Sequence, residues 1–117
     1  MKYVDGFLVA VPAESREVYR RFAGEAASMF KEFGAARVVE CWGNDVPRGK
    51  LTDFYGAVQA KADEVVVFSW IEYPSKEVRD TVMQKMMSDT RMKAMGENMP
   101  FDGKRMIFGG FLPIVDL

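Results

Sequence analysis

The sequence predicts one α+β domain spanning residues 1–117, with four strands and two main helices, and three observations lead to that prediction. The chain has 117 residues, a length typical of a single domain. Its apolar fraction of 49% and charged fraction of 28% are ordinary for a protein with a packed core. Runs of β-branched and aromatic residues alternate with segments whose apolar residues recur every three or four positions, as in amphipathic helices.

The first two predicted elements are a strand and a long amphipathic helix. Residues 3–11 form an apolar run that Pro12 closes, which indicates a strand. Ser15 is a candidate N-cap for the following helix, and Gly34 is the residue type that commonly ends one. The apolar residues of this helix recur at helical spacing and are Val18, Phe22, Ala26, Met29, Phe30 and Phe33.

The middle of the chain contains two further strands that are separated by a polar loop. The second strand covers residues 37–44, and the third covers residues 64–73. Within the loop, Thr52 and Asp53 are candidate caps for one or two helical turns that run through Val58.

A second long helix and a fourth strand complete the order. Ser75 is the candidate N-cap of this second helix, and the helix's apolar stripe ends near Thr90. Residues 91–103 look irregular, with one helical turn before Gly96. Residues 105–115 form the last strand, and Pro113 within it predicts an edge position because proline cannot donate a ladder hydrogen bond.

The resulting βαββαβ order is that of the ferredoxin-like fold, a four-stranded antiparallel sheet with two helices on one face. Both faces of the third strand are apolar, since Val67 and Ile71 alternate with Phe68 and Trp70. Two helices cover only one face, so the other face needs a second cover. We expect that cover to be another copy of the chain, a homodimer through the sheet face. The alternative is that the middle loop folds back over this face.

Several stretches of the sequence resemble the YbaA-like family. They are residues 39–43, 52–54, 64–74, 99–106 and 109–111. The resemblance runs nearly end to end and implies a dimeric α/β barrel, in which two ferredoxin-like units pair with their sheets face to face. The wider barrel group includes cofactor-free monooxygenases, haem-handling enzymes, isomerases and small-molecule sensors, so the resemblance implies no particular activity.

The composition argues against several classes of function. Sixteen basic and seventeen acidic residues nearly balance, which gives no positive field for nucleic acid or anionic membranes. The chain has no histidine, so it lacks a Ser-His-Asp or Cys-His site, His-ligated haem and the usual zinc sites. We therefore expect no metal and no cofactor. A single cysteine, Cys41, and the absence of a signal peptide or membrane-spanning run predict a cytoplasmic protein.

Two pairs of side chains form the main candidate site. Glu40 and Trp42 lie two apart on the second strand, as do Trp70 and Glu72 on the third, so each pair shares a face. Because these strands should pair, we expect all four side chains to lie together. They can form an aromatic-walled pocket in which a carboxyl of raised pKa acts as a general base. The alternative, which the sequence favours, is a dimer interface in which the acids pair with arginine.

Weaker candidates lie elsewhere, and two functions stay open. Tyr55 can donate a hydrogen bond to a ligand, and Arg105 can hold a carboxylate or phosphate at a pocket rim. Cys41 should face away from Glu40 and Trp42. The first function is binding or transformation of a small apolar or aromatic molecule in a pocket between sheet and helices. The second is a non-enzymatic homodimer that acts through protein contacts.

Overall fold

The computed structural model describes all 117 residues and contains one four-stranded antiparallel sheet. The strands are β1 (Tyr3–Pro12), β2 (Arg37–Trp42), β3 (Glu64–Tyr73) and β4 (Ile107–Phe111). The helices are α1 (Arg16–Phe33), α2 (Phe54–Ala57), α3 (Lys76–Ser88) and α4 (Thr90–Gly96), with 3-10 turns at Ala13–Ser15 and Gly103–Arg105. The sheet order β2-β3-β1-β4 places β1 and β3 in the centre, which confirms the ferredoxin-like prediction. Within one chain the sheet is open and does not close into a barrel.

The predicted element bounds agree best where the sequence has clear stop signals. The bounds of α1 and β3 are as predicted, while β4 is shorter at both ends. It pairs with β1 only from Leu8, opposite Ile107, to Val4, opposite Phe111. Pro113 therefore lies beyond the strand and not within it, although β4 is an edge strand as expected.

Three of the predicted caps were tested by the hydrogen bonds at the helix ends. The side chain of Asp53 accepts from the backbone N–H of Gly56 at 2.7 Å, and Ser75 accepts from Val78 at 3.2 Å. The prediction for Ser15 is wrong, because this residue belongs to the 3-10 turn before α1 and makes no capping hydrogen bond. Its backbone has already turned before the helix begins.

The face of the sheet that α1 and α3 cover is called the helix face. Along α1 the buried residues begin at Tyr19 and continue through Ala23 and Met29. Val18, which the sequence analysis placed on the buried stripe, is 55% exposed. The buried stripe is wider than predicted: Met29 belongs to it as expected, and Tyr19 and Ala23, which the prediction left out, also point toward the sheet.

The opposite side is called the open face, and its centre is apolar and uncovered. It holds a concavity of about 530 Å³ lined mainly by Val4, Leu8, Phe68, Trp70, Ile107 and Phe111. The segment around α2 covers only one end of this face, where Val58 packs on Ala10 and Val66. The middle loop therefore folds back over one end of the open face, as the alternative prediction has it. It leaves the centre of that face uncovered, where Phe68 is 48% exposed. None of the helices combines the length and apolarity needed to cross a membrane.

Candidate functional site

The strand register divides the predicted four-residue site into two halves on opposite faces. Glu40 lies opposite Ser69, one position from Trp70. Successive side chains on a strand alternate between faces. The Glu40–Trp42 pair therefore points to the helix face, and the Trp70–Glu72 pair points to the open face. The prediction that all four lie together is wrong, although each pair shares a face as expected.

On the helix face, a short hydrogen bond connects Glu40 to α1. The hydroxyl of Tyr19 donates to Oε1 of Glu40 across 2.6 Å. That separation is typical of an O–H group that donates to a carboxylate. Tyr19 is buried in the first turns of α1, and Glu40 belongs to the edge strand β2. The sheet and helix thus bring together two groups that lie 21 residues apart in sequence.

The Tyr19–Glu40 pair lies between two neighbouring spaces that share part of their lining. The inner space, called the chamber, has a volume of about 180 Å³ between α1 and the sheet. Its walls are nearly all apolar and include Phe7, Phe22, Phe30, Ile71, Phe101 and Met106. The outer space, called the groove, has a volume of about 560 Å³ and opens to solvent past Arg16, Arg20 and Trp42. Both spaces are lined by Tyr19, Ala23, Ala27, Val38 and Glu40.

The surroundings of the pair change its acid–base properties. Burial of its carboxyl raises the pKa of Glu40, and the hydrogen bond from Tyr19 opposes part of that rise. Glu40 as a whole residue is exposed along the groove, so solvent moderates the effect. Burial, followed by the negative charge of Glu40, raises the pKa of Tyr19 well above its usual range. Tyr19 therefore keeps its proton, and Glu40 is the group that can exchange one.

Aromatic rings surround the pair on two sides. The rings of Tyr19 and Trp42 have centroids 6.5 Å apart, and Phe101 meets Tyr19 edge-on at 5.8 Å. The guanidinium of Arg16 lies 5.7 Å from the centroid of the Trp42 ring. Trp42 is therefore a wall of the groove beside Glu40, as the aromatic-pocket prediction for this pair requires.

The other half of the predicted site makes polar contacts within the open face. On the open face, Nε1 of Trp70 donates to Oε2 of Glu72 at 2.9 Å. Nη1 of Arg37 lies 3.5 Å from the same oxygen. This agrees with the alternative interpretation, in which the glutamate pairs with an arginine. Cys41 is exposed on this face, opposite Phe68, and so faces away from Glu40 as predicted.

Tyr55 and Arg105 lie away from the chamber and the groove. The Tyr55 hydroxyl donates to the carbonyl of Val46 at 3.0 Å. Arg105 donates to both carboxylate oxygens of Glu64 at 2.7 Å and to Asp102 at 3.1 Å. These bonds hold the local fold together, and the ligand-binding role of both residues stays a prediction. No three Cys, Asp or Glu side chains gather in a metal-binding arrangement.

Sequence reasoning missed Tyr19, the partner that gives Glu40 its environment. The signal was present in the sequence as a second set of helical spacings, from Tyr19 through Ala23 and Ala27 to Phe30. This spacing was overlooked because a second series of larger apolar residues, which begins at Val18, also has helical spacing. On this side of α1 the small side chains Ala23 and Ala27 leave space between the helix and the sheet, and Tyr19 lies beside that space.

Comparisons with known proteins place the chain among relatives of the same length. A family model described as "Protein of unknown function (DUF1428)" matches residues 2–103. "Uncharacterized protein YbaA" of Escherichia coli K12 is 69% identical over 116 residues, which are 99% of each chain. The resemblance found in the sequence is thereby confirmed.

Two solved structures share the architecture at low sequence identity. A dimeric ferredoxin-like protein from an uncultured marine organism has a TM-score of 0.64 at 12% identity, over 98% of this chain and 97% of that one. SnoaB of Streptomyces nogalater, a cofactor-independent oxygenase, has a TM-score of 0.55 at 13% identity, over 99% of this chain and 96% of its own. At such identities the likeness shows the fold alone.

Proposed function

The chain belongs to the DUF1428 family, and we propose that it binds a small apolar or aromatic molecule in the chamber, with the Tyr19–Glu40 pair as the polar contact. The observation that carries this proposal is the 2.6 Å hydrogen bond between those two groups at the mouth of an apolar space. Sites for small molecules typically combine an apolar concavity with a few fixed polar groups.

The size of the space fits a ligand with one or two rings. An engineered apolar cavity of about 150 Å³ in another protein binds benzene. The chamber is slightly larger at about 180 Å³, and it shares five lining residues with the groove of about 560 Å³. A flat aromatic compound in the groove lies beside both Trp42 and Glu40, which line it together.

The same geometry supports proton transfer as the chemistry of the site. A carboxyl whose pKa is raised above its ordinary value is a better proton acceptor at neutral pH than an ordinary carboxylate. Tyr19 holds the Glu40 carboxyl in place and keeps its own proton. SnoaB, which has the same fold, is a cofactor-independent oxygenase, so this architecture is compatible with enzymatic chemistry that uses no cofactor. The proposed role of Glu40 rests on its own surroundings.

We also propose that two copies of the chain pair through the open face. The centre of this face is apolar, and the charges of Arg37 and Glu72 at its edge neutralise each other. A two-fold interface places the same patch on both partners, which suits a surface without a net field. The marine ferredoxin-like protein is itself described as dimeric. Several apolar side chains of the C-terminal segment that follows β4 are also exposed, among them Leu112, Ile114 and Val115.

The binding proposal is tested with 2-naphthalenemethanol, a neutral two-ring probe, by isothermal titration calorimetry. Ala27 is half-buried and lines both the chamber and the groove, so Ala27→Phe should fill the space beside it and abolish binding. Ser28→Phe places the same ring on the adjacent exposed position of α1, outside both spaces, and should bind like the wild type. Thermal unfolding verifies that both variants fold.

The two variants also define the result that contradicts the proposal. If the probe does not bind the wild type, or binds it and both variants equally, then the chamber is not a ligand site. The dimer would then remain as the alternative function, a protein that acts through contacts between chains.

A further inference from the structure

We propose that the ligand of this site is an anion with an apolar body, namely an apolar or aromatic carboxylate. Its charged end lies on Arg16 and Arg20 at the mouth of the groove, and its body enters the chamber. This inference rests on the proposed function, because it names the chemical class that the same site selects.

The two arginines lie on the groove side of α1. Tyr19 follows Arg16 by three residues and Arg20 follows it by four, so each of them is a neighbour of Arg16 on the helix surface. Both arginines line the groove together with Tyr19. The groove therefore has cations at its entrance and a hydroxyl–carboxyl pair at its inner end.

Arg16 is available to an anion because no carboxylate of the chain binds it. Other arginines of the fold are occupied: Arg79 lies 3.0 Å from Asp5, and Arg105 lies 2.7 Å from Glu64. Arg16 instead lies over the ring of Trp42, at 5.7 Å from its centroid. A guanidinium that stacks on an aromatic wall still presents its N–H groups at its edge to a carboxylate.

Arg20 is only weakly held by its own partner. Its Nε lies 3.1 Å from Glu17, and both side chains are largely exposed. Exposed pairs of this kind contribute between about 0 and 1 kcal/mol. An incoming carboxylate can therefore draw Arg20 toward the groove at small cost.

Glu40 does not oppose an anionic ligand as strongly as an ordinary glutamate would. It is the one acidic residue among those that line the groove. Burial raises the pKa of its carboxyl, which favours the neutral form. The groove therefore has two cations and one carboxyl among its lining residues, so its mouth favours negative charge while the apolar chamber excludes it.

The test compares 2-naphthoate with 2-naphthalenemethanol, which has the same rings and no charge. By calorimetry we expect the acid to bind the wild type about tenfold more tightly, the factor that corresponds to about 1.4 kcal/mol. The double substitution Arg16→Gln and Arg20→Gln should remove that preference, so that the acid and the alcohol bind the double variant with affinities that differ by less than about twofold. Arg21→Gln is the matched control, because Arg21 lies on the same helix and lines a different depression.

The outcomes separate this inference from the proposal on which it rests. The inference is overturned if the acid and the alcohol bind the wild type equally, or if the double variant keeps the preference. In both cases the chamber still stands as a site, provided that Ala27→Phe abolishes binding of the alcohol. If neither compound binds, the chamber itself is not a site, and the inference fails with it. A preference that Arg21→Gln also removes would show a general field effect and not a contact at the groove.

Discussion

The two faces of the sheet are built from the same four strands, yet they differ in the way that they treat polar groups. The helix face buries Asp5 and Ser69 and holds the carboxyl of Glu40 against α1. The centre of the open face is apolar, and the ion pair Arg37–Glu72 lies at its edge. Polar groups fixed inside a fold are costly unless each has a partner, whereas an apolar uncovered surface suits association. This difference supports the two proposals, that a ligand binds on the helix face and that two chains pair through the open face.

The largest expected effect tests the buried charge on the helix face. Asp5 is 2% exposed, and the Nη2 atom of Arg79 lies 3.0 Å from its Oδ1. Arg79→Ala leaves that carboxylate buried without its partner, and we expect the free energy of unfolding to fall by about 3–5 kcal/mol. Urea unfolding measures the change. Arg37→Ala breaks the exposed pair of the other face, and it should cost less than about 1 kcal/mol. Equal losses in the two variants would contradict the contrast between the faces.

The next effect tests the open face as an interface. Phe68→Asp places a charge at the centre of the proposed dimer, and we expect it to weaken association by about a hundredfold or more. Analytical ultracentrifugation measures the monomer–dimer equilibrium. Val18→Asp is the matched control, because Val18 on α1 is 55% exposed and Phe68 is 48% exposed. A wild-type monomer, or a Phe68→Asp protein that dimerises like the control, would exclude this interface.

A smaller effect follows from a carboxyl that the fold keeps ionised. The hydrogen bonds from Arg105 lower the pKa of Glu64 from 4.5 to about 2. In the unfolded chain Glu64 protonates near its ordinary pKa, so its contribution to stability is complete above pH 4.5 and is lost as the pH falls toward 2. Thermal unfolding across this range should show a steeper loss for the wild type than for Glu64→Gln. Parallel curves would mean that the ion pair adds no stability.

The smallest effect concerns the opposite case, the carboxyl of Glu40, whose ionised form is destabilised by burial in the folded protein. The pKa of Glu40 is higher in the folded protein than in the unfolded chain. The folded state is therefore destabilised relative to the unfolded state as the pH rises through the folded-state pKa and Glu40 ionises. Glu40→Gln should therefore gain stability relative to the wild type between pH 4 and pH 8, by less than about 1 kcal/mol because solvent reaches the residue. Chemical unfolding at the two pH values measures the difference. A relative loss at high pH would show that burial does not act on this carboxyl.

Most of the fold could be predicted from the sequence, because its signals are local. The prolines and glycines at the strand and helix ends gave the bounds of β3 and α1, and alternation gave the apolar character of both faces. The ends of β4 could not be read in this way. They depend on how far β1 offers a pairing partner, from Val4 to Leu8, which is a contact between distant parts of the chain.

The candidate site was predictable only in part, for a related reason. The sequence shows that Glu40 and Trp42 share a face, but it does not give the register between β2 and β3. A shift of one residue in that register moves a side chain to the other face. The four-residue site was therefore assembled from two halves that the sheet keeps apart. Tyr19 was missed because the rotation of α1 about its axis depends on packing against the sheet.

The proposal that the ligand binds on the helix face and not on the open face is tested most directly by nuclear magnetic resonance. In this experiment the ¹⁵N-labelled protein is titrated with 2-naphthalenemethanol. The account predicts that backbone amide signals of Tyr19, Ala23 and Ala27 on α1 and of Val38 on β2 shift with saturation. Signals of Leu8 and Phe68 on the open face should stay in place. Saturable shifts that are confined to Leu8, Phe68 and their neighbours would contradict the account, because the open face would then be the ligand site.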